Sequence, residues 1–475
     1  MSTAVTGVVW SAVERFSVQG IQFILSLVIA RFVSPAEYGF IAMIAIFMAI
    51  SQTFVDSGFG NALIQKKDRS DIDFSTVFYF NIILSLLLYT ALYAAAPLIA
   101  RFYDQPILVS VTRWVGLNLI FSAFSIVQRA KLTIALDFRR QAKISLLAVT
   151  ISGALGIYAA YRDWGVWALV LQTLSNNFFT AVFFWFIAKW RPLLAFSRES
   201  FRKLFSFGSN LLLSGLLQTV YLNLYSLVIG KWYNAADAGY YNRAYSISQY
   251  PTINLVQVIT RVLYPLQCAH QDDDGWLVAS FPKFLRMTCF CVFPIMACLA
   301  ILSKPLVLII LSERWLPCAE LISILCVAYM WIPVGTLNNH LINSKGRSDL
   351  FLRAELIKKI TAVIILIVTL PFGLSVLCWG VVLYNIVDIF IIIGFTRRIL
   401  DMGFRKQFRA IAPLLLLTVL SGIAVWALLP VVSNIWMRVL IGITTFILVF
   451  GCGAFVCGFE EPRMLVSYFR KTNIV

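Results

Sequence analysis

The sequence predicts an all-α polytopic membrane protein with about 14 transmembrane helices, arranged as two pseudo-symmetric six-helix lobes plus two C-terminal helices. Three observations lead there. Sixty per cent of the 475 residues are apolar and only 13% are charged, a composition outside the range of soluble domains. Apolar runs long enough to cross roughly 30 Å of hydrocarbon at about 1.5 Å per residue follow one another from end to end. A stretch of the first half is written again at an offset of 200 residues.

The runs occupy 8–31, 39–65, 74–100, 108–128, 142–161, 165–188, 206–230, 238–265, 284–303, 316–342, 351–370, 374–396, 410–430 and 437–458, here segments 1 to 14. The connections between them are short, so no extramembrane domain is expected to carry catalysis. The start, MSTAVTGVVWSAVERF, lacks a basic region and a small-residue cleavage site, and segment 1 reads as a retained helix. All nine Cys lie at or beyond Cys268, mostly inside apolar runs, and form no paired framework; they read as small packing residues.

The net charge of +17 would suit a nucleic-acid partner if it formed a patch, but it alternates. Most Lys and Arg sit in or beside the even-numbered connections and the C-terminal tail, as at Lys66, Lys67 and Arg69 or Arg397, Arg398, Arg405, Lys406 and Arg409. The odd-numbered connections hold Arg31, Arg101, Arg162, Lys231, Lys304, Arg314 and Arg438. This is the positive-inside pattern, and it places both termini in the cytoplasm.

Residues 28–40, VIARFVSPAEYGF, align without a gap on 228–240, VIGKWYNAADAGY, sharing Val28/Val228, Ile29/Ile229 and Gly39/Gly239 with a basic residue at Arg31/Lys231 and an acid at Glu37/Asp237. The offset sets segment 7 on segment 1 and segment 8 on segment 2. Six helices per lobe is an even number, so both lobes enter from one side and a two-fold axis along the membrane normal is expected, a transporter plan. The expected domains are 1–203, 204–400, and 401–475 with segments 13 and 14 and the tail. Chance likeness of two apolar stretches is the competing account, and the matched polar loop weighs against it.

Polar residues at helical spacing mark a face turned away from lipid. Segment 8 has Arg243, Ser246, Tyr250, Asn254, Gln257 and Arg261; segment 1 has Ser11, Arg15, Gln19, Gln22 and Ser26, with Glu14 alongside; segment 7 has Asn210, Ser214, Gln218, Tyr221 and Tyr225. These faces either enclose a wet cavity or bond across a dry helix interface. Chain direction puts Arg15 and Arg261 in the inner third, with Asp56 at the depth of Arg15, and Arg243 about 27 Å further out. Arginines at two depths suit capture and hand-over of an anionic group by bidentate hydrogen bonds. An Arg15–Asp56 structural ion pair is the plainer account, and a pair that opens for substrate would be a gate. Glu14 and Asp388 are further candidates for coupling to a cation or proton. Pro251 predicts a kink in segment 8. Arg113 and Glu320 lie near helix ends, where snorkelling suffices.

Other chemistry is weaker. Asp71-Ile72-Asp73 matches the D-x-D of glycosyltransferases but stands where Asp caps a helix start. Cys268, His270 and Asp272 to Asp274 fit no zinc spacing and read as a solvated loop, so no metal is expected. There is no Walker A sequence, so any active transport would draw on a gradient or on substrate consumption.

ARFVSPAEYG, the FVDSGFGNALIQKK end of segment 2 and IGKWYNAADAGYYNRAYSISQYP around segments 7 and 8 resemble the polysaccharide flippase family, the Wzx-like exporters of the MOP (multidrug/oligosaccharidyl-lipid/polysaccharide) superfamily, in its lipopolysaccharide and colanic-acid exporter branch. The resemblance implies a MATE-like fold and a secondary transporter, not an enzyme. It implies translocation of undecaprenyl-pyrophosphate-linked oligosaccharide across the inner membrane by alternating access, for O-antigen, capsule or exopolysaccharide synthesis. Implied partners are the lipid-linked oligosaccharide, membrane lipids, and polymerase and glycosyltransferases of the same synthesis. No cofactor is implied beyond a proton or cation gradient. Related lipid II flippases use cavity arginines for the pyrophosphate and the last two helices for the lipid tail. In this chain Arg15 and Arg261 are expected to take the diphosphate and Arg243 to receive it outside, with Gln22, Tyr250, Asn254 and Gln257 lining the path. A MATE-type multidrug cation exporter, which would want an acidic cavity, and a membrane-embedded polymerase, which would want a large outward loop, are the alternatives.

Overall fold

The computed structural model describes residues 3–56, 59–66 and 68–462, with side chains described from Ser17 onward except at a few positions between 61 and 65 and between 203 and 214. The described residues are helical, with no strand. In order they form α1 (Thr3–Ala30), α2 (Pro35–Asp56), α3 (Phe59–Gln65), α4 (Asp71–Tyr103), α5 (Ile107–Ile134), α6 (Phe138–Tyr161), α7 (Val166–Ala188), α8 (Arg198–Trp232), α9 (Ala235–Ala269), α10 (Asp274–Ile301), α11 (Ser303–Ile310), α12 (Leu316–Tyr329), α13 (Ile332–Ser344), α14 (Ser348–Thr369), α15 (Leu374–Arg397), α16 (Phe404–Leu428) and α17 (Ile435–Val456).

Local chemistry sets many of the ends. Ser70 accepts from the Asp73 amide while Asp73 accepts from Ser70, a capping box opening α4. Asp137, Ser197, Asp273 and Asn434 each accept a backbone N–H at the starts of α6, α8, α10 and α17, as simple N-caps. Asp104 and Lys189 end α4 and α7 in the left-handed conformation.

Ten helical stretches among the described residues are long and apolar enough to cross a membrane, which makes this a multi-pass membrane protein. Helices α9 and α14 fall outside that set because they carry more polar and charged residues. At 33, 35 and 35 residues, α4, α8 and α9 are each about 50 Å long and outreach the hydrocarbon layer.

Two expected single runs are divided. The run 39–65 forms α2 and α3, with residues 57 and 58 between them outside the described set. The run 316–342 breaks after Tyr329 and resumes at Ile332 as α12 and α13. Pro333 is the cause: it has no N–H for the Tyr329 carbonyl four residues back, so the ladder is interrupted there. Proline inside α9 does not do the same, since α9 runs unbroken through Pro251 and Pro265.

The chain forms two compact units, Met1–Gly239 and Tyr240–Val475. In the first, α4 packs on α5, α6 on α7 and α1, and α2 on α8. Its core is aliphatic, with Leu108, Val111, Leu119 and Ala123 of α5 wholly buried against Met43, Ile44 and Val55 of α2. Small residues let helices approach: a Cβ on Gly153 of α6 would strike Leu25 of α1 at 2.3 Å. In the second unit α10 packs on α16, and α15 on both α12 and α14. Leu302, Val425, Phe446, Phe450 and Ala454 there bind α16 and α17 to the end of α10. Helix α8 packs with the first unit, although the repeat assigns it to the second lobe.

Candidate functional site

The polar stripe of α9 has two regions. Tyr250, Asn254, Gln257 and Arg261 recur at steps of 4, 3 and 4, so one face of the helix carries them all. Tyr250 is 40% exposed, Asn254 and Gln257 are half-buried, and Arg261 is exposed. Asn254 donates to the Tyr250 carbonyl at 2.9 Å, which holds its amide against the helix and leaves its carbonyl oxygen outward. No carboxylate among the described residues lies within ion-pair distance of Arg261. A guanidinium presented in this way can take two oxygens of a phosphate in parallel.

Arg243 is placed differently from the open outer-mouth position expected of it. It is only 6% exposed, and its guanidinium carbon lies 5.7 Å from the ring centre of the wholly buried Trp315. The surrounding turn is tied down as well. The Tyr240 hydroxyl donates to the Arg314 carbonyl at 3.2 Å, and the Cys318 thiol donates to the Tyr240 carbonyl at 3.4 Å. Here the cation completes an aromatic packing site between the start of α9 and the start of α12.

In the first unit Gln22 is exposed on α1, while Ser26 spends its hydroxyl on the Phe23 carbonyl at 2.7 Å. Asp56, at the end of α2, accepts from Gln52 at 3.0 Å, and Gln52 also donates to Ser122 at 2.8 Å. Glu14 and Arg15 lie on helical backbone of α1, but their side chains fall outside the described residues, as do those of Asn210 and Ser214 on α8.

Asp388 is engaged by a partner that sequence reasoning did not single out. Lys358 of α14 has its ammonium 3.0 Å from Asp388 of α15 and 2.7 Å from Glu355 one turn back. The Lys358 side chain is 7% exposed and that of Asp388 15%. Two carboxylates share one buried ammonium. The available signal was the i,i+3 pair Glu355 and Lys358, flanked by Arg353 and Lys359, in a run expected to cross the membrane.

The weaker motifs resolve into structural roles. Asp71 and Asp73 pair with Lys131 at 3.1 Å and Lys66 at 2.7 Å at the head of α4. In the 268–274 loop Asp273 caps α10 and Asp274 pairs with Lys345. No cluster of metal-binding side chains occurs among the described residues. Arg113 lies over the Tyr93 ring at 4.1 Å.

Known proteins resemble this chain in sequence and in fold. It is 24% identical over 347 residues to the teichuronic acid biosynthesis protein TuaB of Bacillus subtilis (strain 168), covering 73% of this chain and 72% of that one. It is 26% identical over 356 residues to the lipopolysaccharide biosynthesis protein WzxC of Escherichia coli (strain K12), covering 74% and 72%. The fold matches the lipid II flippase MurJ in an inward closed conformation with a TM-score of 0.77 at 14% identity, over 96% of this chain and all of that one. It matches an inward-facing multidrug-resistance MATE transporter of the MOP superfamily with a TM-score of 0.64 at 16% identity, over 80% and 94%. The architecture is therefore MurJ- and MATE-like. The model of the family described as polysaccharide biosynthesis protein matches residues 28–320, more than half of the sequence, and the chain belongs to that family.

Proposed function

We propose that this protein is a flippase that carries undecaprenyl-pyrophosphate-linked oligosaccharide repeat units across the inner membrane by alternating access, in the synthesis of a surface polysaccharide. The observation that carries the reading is the α9 face: Arg261 exposed and without a carboxylate among the described residues, one turn from Gln257 and in line with Asn254 and Tyr250. A diphosphate cannot enter hydrocarbon unaided, and a cation offered from a membrane helix lowers that cost. Amides and a tyrosine on the same face offer hydrogen bonds and a ring surface to the attached sugars. A relative named for succinoglycan biosynthesis transport, from Rhizobium meliloti (strain 1021), supports a transport role within polysaccharide synthesis.

In this reading the chain crosses the membrane fourteen times with both termini cytoplasmic, α2 with α3 and α12 with α13 each making one passage. The repeat gives two six-helix lobes and leaves α16 and α17 as an addition. Arg15 and Arg261 take the diphosphate on the inner side, Gln22 lines the path, and Asp56 with Arg15 serves as a gate. Arg243, packed on Trp315, holds the outer end of α9 and acts on cargo only if that packing opens. Glu14 and the Asp388–Lys358–Glu355 group are the acids available to couple movement to a proton or cation gradient. A multidrug cation exporter is disfavoured by the same Arg261, which would repel its cargo.

Mass spectrometry of lipid-linked glycans in cells lacking the protein tests this. Complete repeat units should accumulate on the polyprenyl carrier while surface polysaccharide is lost. Truncated glycans, or an unchanged lipid pool, would overturn the proposal.

A further inference from the structure

Helix α17 stops at Val456, and Gly458 turns the chain there. It stands at φ +65°, its N–H bonded to the Phe455 carbonyl at 3.1 Å, while the Phe459 N–H reaches the Ala454 carbonyl at 3.0 Å. These two bonds are a Schellman ending, and they carry Phe459, Glu460 and Glu461 back toward α10. On α10 Lys283 and Arg286 stand three residues apart, on one face. Together these side chains line a polar pocket of about 370 Å³. Lys283 directly precedes the apolar run 284–303, and Phe455 and Val456, 80% and 83% exposed, end the apolar part of α17. The pocket therefore lies where hydrocarbon gives way to lipid head groups.

Its four charges divide into two pairs with different duties. Arg286 donates through Nε to Glu461 at 2.5 Å and through a second nitrogen at 3.4 Å, and its guanidinium carbon lies 5.3 Å from the centre of the Phe459 ring. The Glu461 side chain is only 6% exposed, so this pair is complete and fixes the pocket wall. Lys283 and Glu460 are exposed, and no carboxylate or cation among the described residues lies within ion-pair distance of either. Two cations and two carboxylates leave the pocket without net charge. A ligand is thus offered one ammonium and one carboxylate, which suits a zwitterion with a phosphate at one end and a primary ammonium at the other. An anionic glycerol head group would set its charge against Glu460, and a choline head group has no N–H to donate to it.

We infer that this pocket binds the phosphoethanolamine head group of a bilayer phospholipid, with the phosphate on Lys283 and the ammonium on Glu460. The exposed Phe455 and Val456 beside it give the acyl chains an apolar surface to follow, which favours a lipid over a soluble ligand. The site stands independently of the transport reading, since it needs only the membrane location of α10 and α17. Native mass spectrometry of the full-length protein in detergent tests it, with equal amounts of phosphatidylethanolamine, phosphatidylcholine and phosphatidylglycerol of identical chains. Phosphatidylethanolamine should occupy the protein about threefold more than either competitor, the scale of an exposed ion pair. That preference should vanish in Lys283→Met and in Glu460→Gln. Glu460→Lys, which makes the pocket cationic, should turn the preference toward phosphatidylglycerol. Equal occupancy by the three lipids in the unaltered protein, or a preference that all three variants retain, would overturn the site. Glycerophosphoethanolamine, the same head group without chains, should leave the unfolding temperature unchanged. A rise that Glu460→Gln abolishes would assign the pocket to a soluble ligand and overturn the lipid.

Discussion

Arg243 and Arg261 stand on one helix and, by sequence alone, on one stripe, yet the structure treats them in opposite ways. Arg243 is folded against Trp315 and almost wholly buried, whereas Arg261 is exposed with no acid beside it among the described residues. Both are cations on one helix, so charge by itself does not mark a binding group. What separates them is the neighbouring element: α12 begins beside Arg243 with an aromatic ring to receive it. A cation whose surroundings are complete holds structure, and one whose surroundings are incomplete is available to a ligand.

The largest effect expected from breaking this contrast is on transport. Arg261→Ala should reduce export of surface polysaccharide at least tenfold, the loss of about 1.4 kcal/mol or more that a charge-assisted hydrogen bond supplies, with normal protein levels. Arg261→Lys should recover part of it, because a single charge remains without the planar fork. Unchanged export in Arg261→Ala would remove the α9 face from the proposed binding site.

Next in size is a loss of stability at the buried acid group. Lys358→Met leaves Asp388 and the half-buried Glu355 without the buried ammonium they share, and breaking a buried pair costs up to about 3–5 kcal/mol. Thermal unfolding in detergent should show a large drop, and a further Asp388→Leu change should return part of it. An additive double variant would show that the two residues are not coupled.

Arg243→Ala should be milder and of another kind. Removing the cation from the Trp315 ring costs about 1–2 kcal/mol plus lost packing, so unfolding temperature should fall while export per folded molecule holds. A loss of export at unchanged stability would instead place Arg243 with Arg261.

The smallest effect lies on the α15–α16 connection. The hydrogen bond from Lys406 holds the Asp401 carboxyl below its usual value. A folded-state pKa below the unfolded one stabilises the fold above the unfolded value of 3.8, and that contribution is lost as pH falls through the depressed one. Lys406→Met should therefore flatten the acid limb of the stability profile slightly and change nothing near neutral pH, which a pH series of melting curves would read.

Much of the helical layout was legible because a bilayer imposes length and apolarity locally. The run beginning at 374 became α15 from Leu374, and Asp71 and Asp73 stand at the start of α4, where a helix start was expected, with Ser70 as the capping residue itself. The break at Pro333 was legible in principle but hidden by the unbroken hydropathy around it. The partner of Asp388 was not legible, since Lys358 lies 30 residues away on another helix and only packing brings them to 3.0 Å.

By itself the sequence determined the membrane class, the repeat, the polar stripes and the two glycines at a 200-residue offset, because periodicity and composition act along the chain. The tertiary structure alone decided which charges are completed and which are left open. Those depend on which elements become neighbours, and a side chain's electrostatic and steric surroundings come mostly from residues remote in sequence.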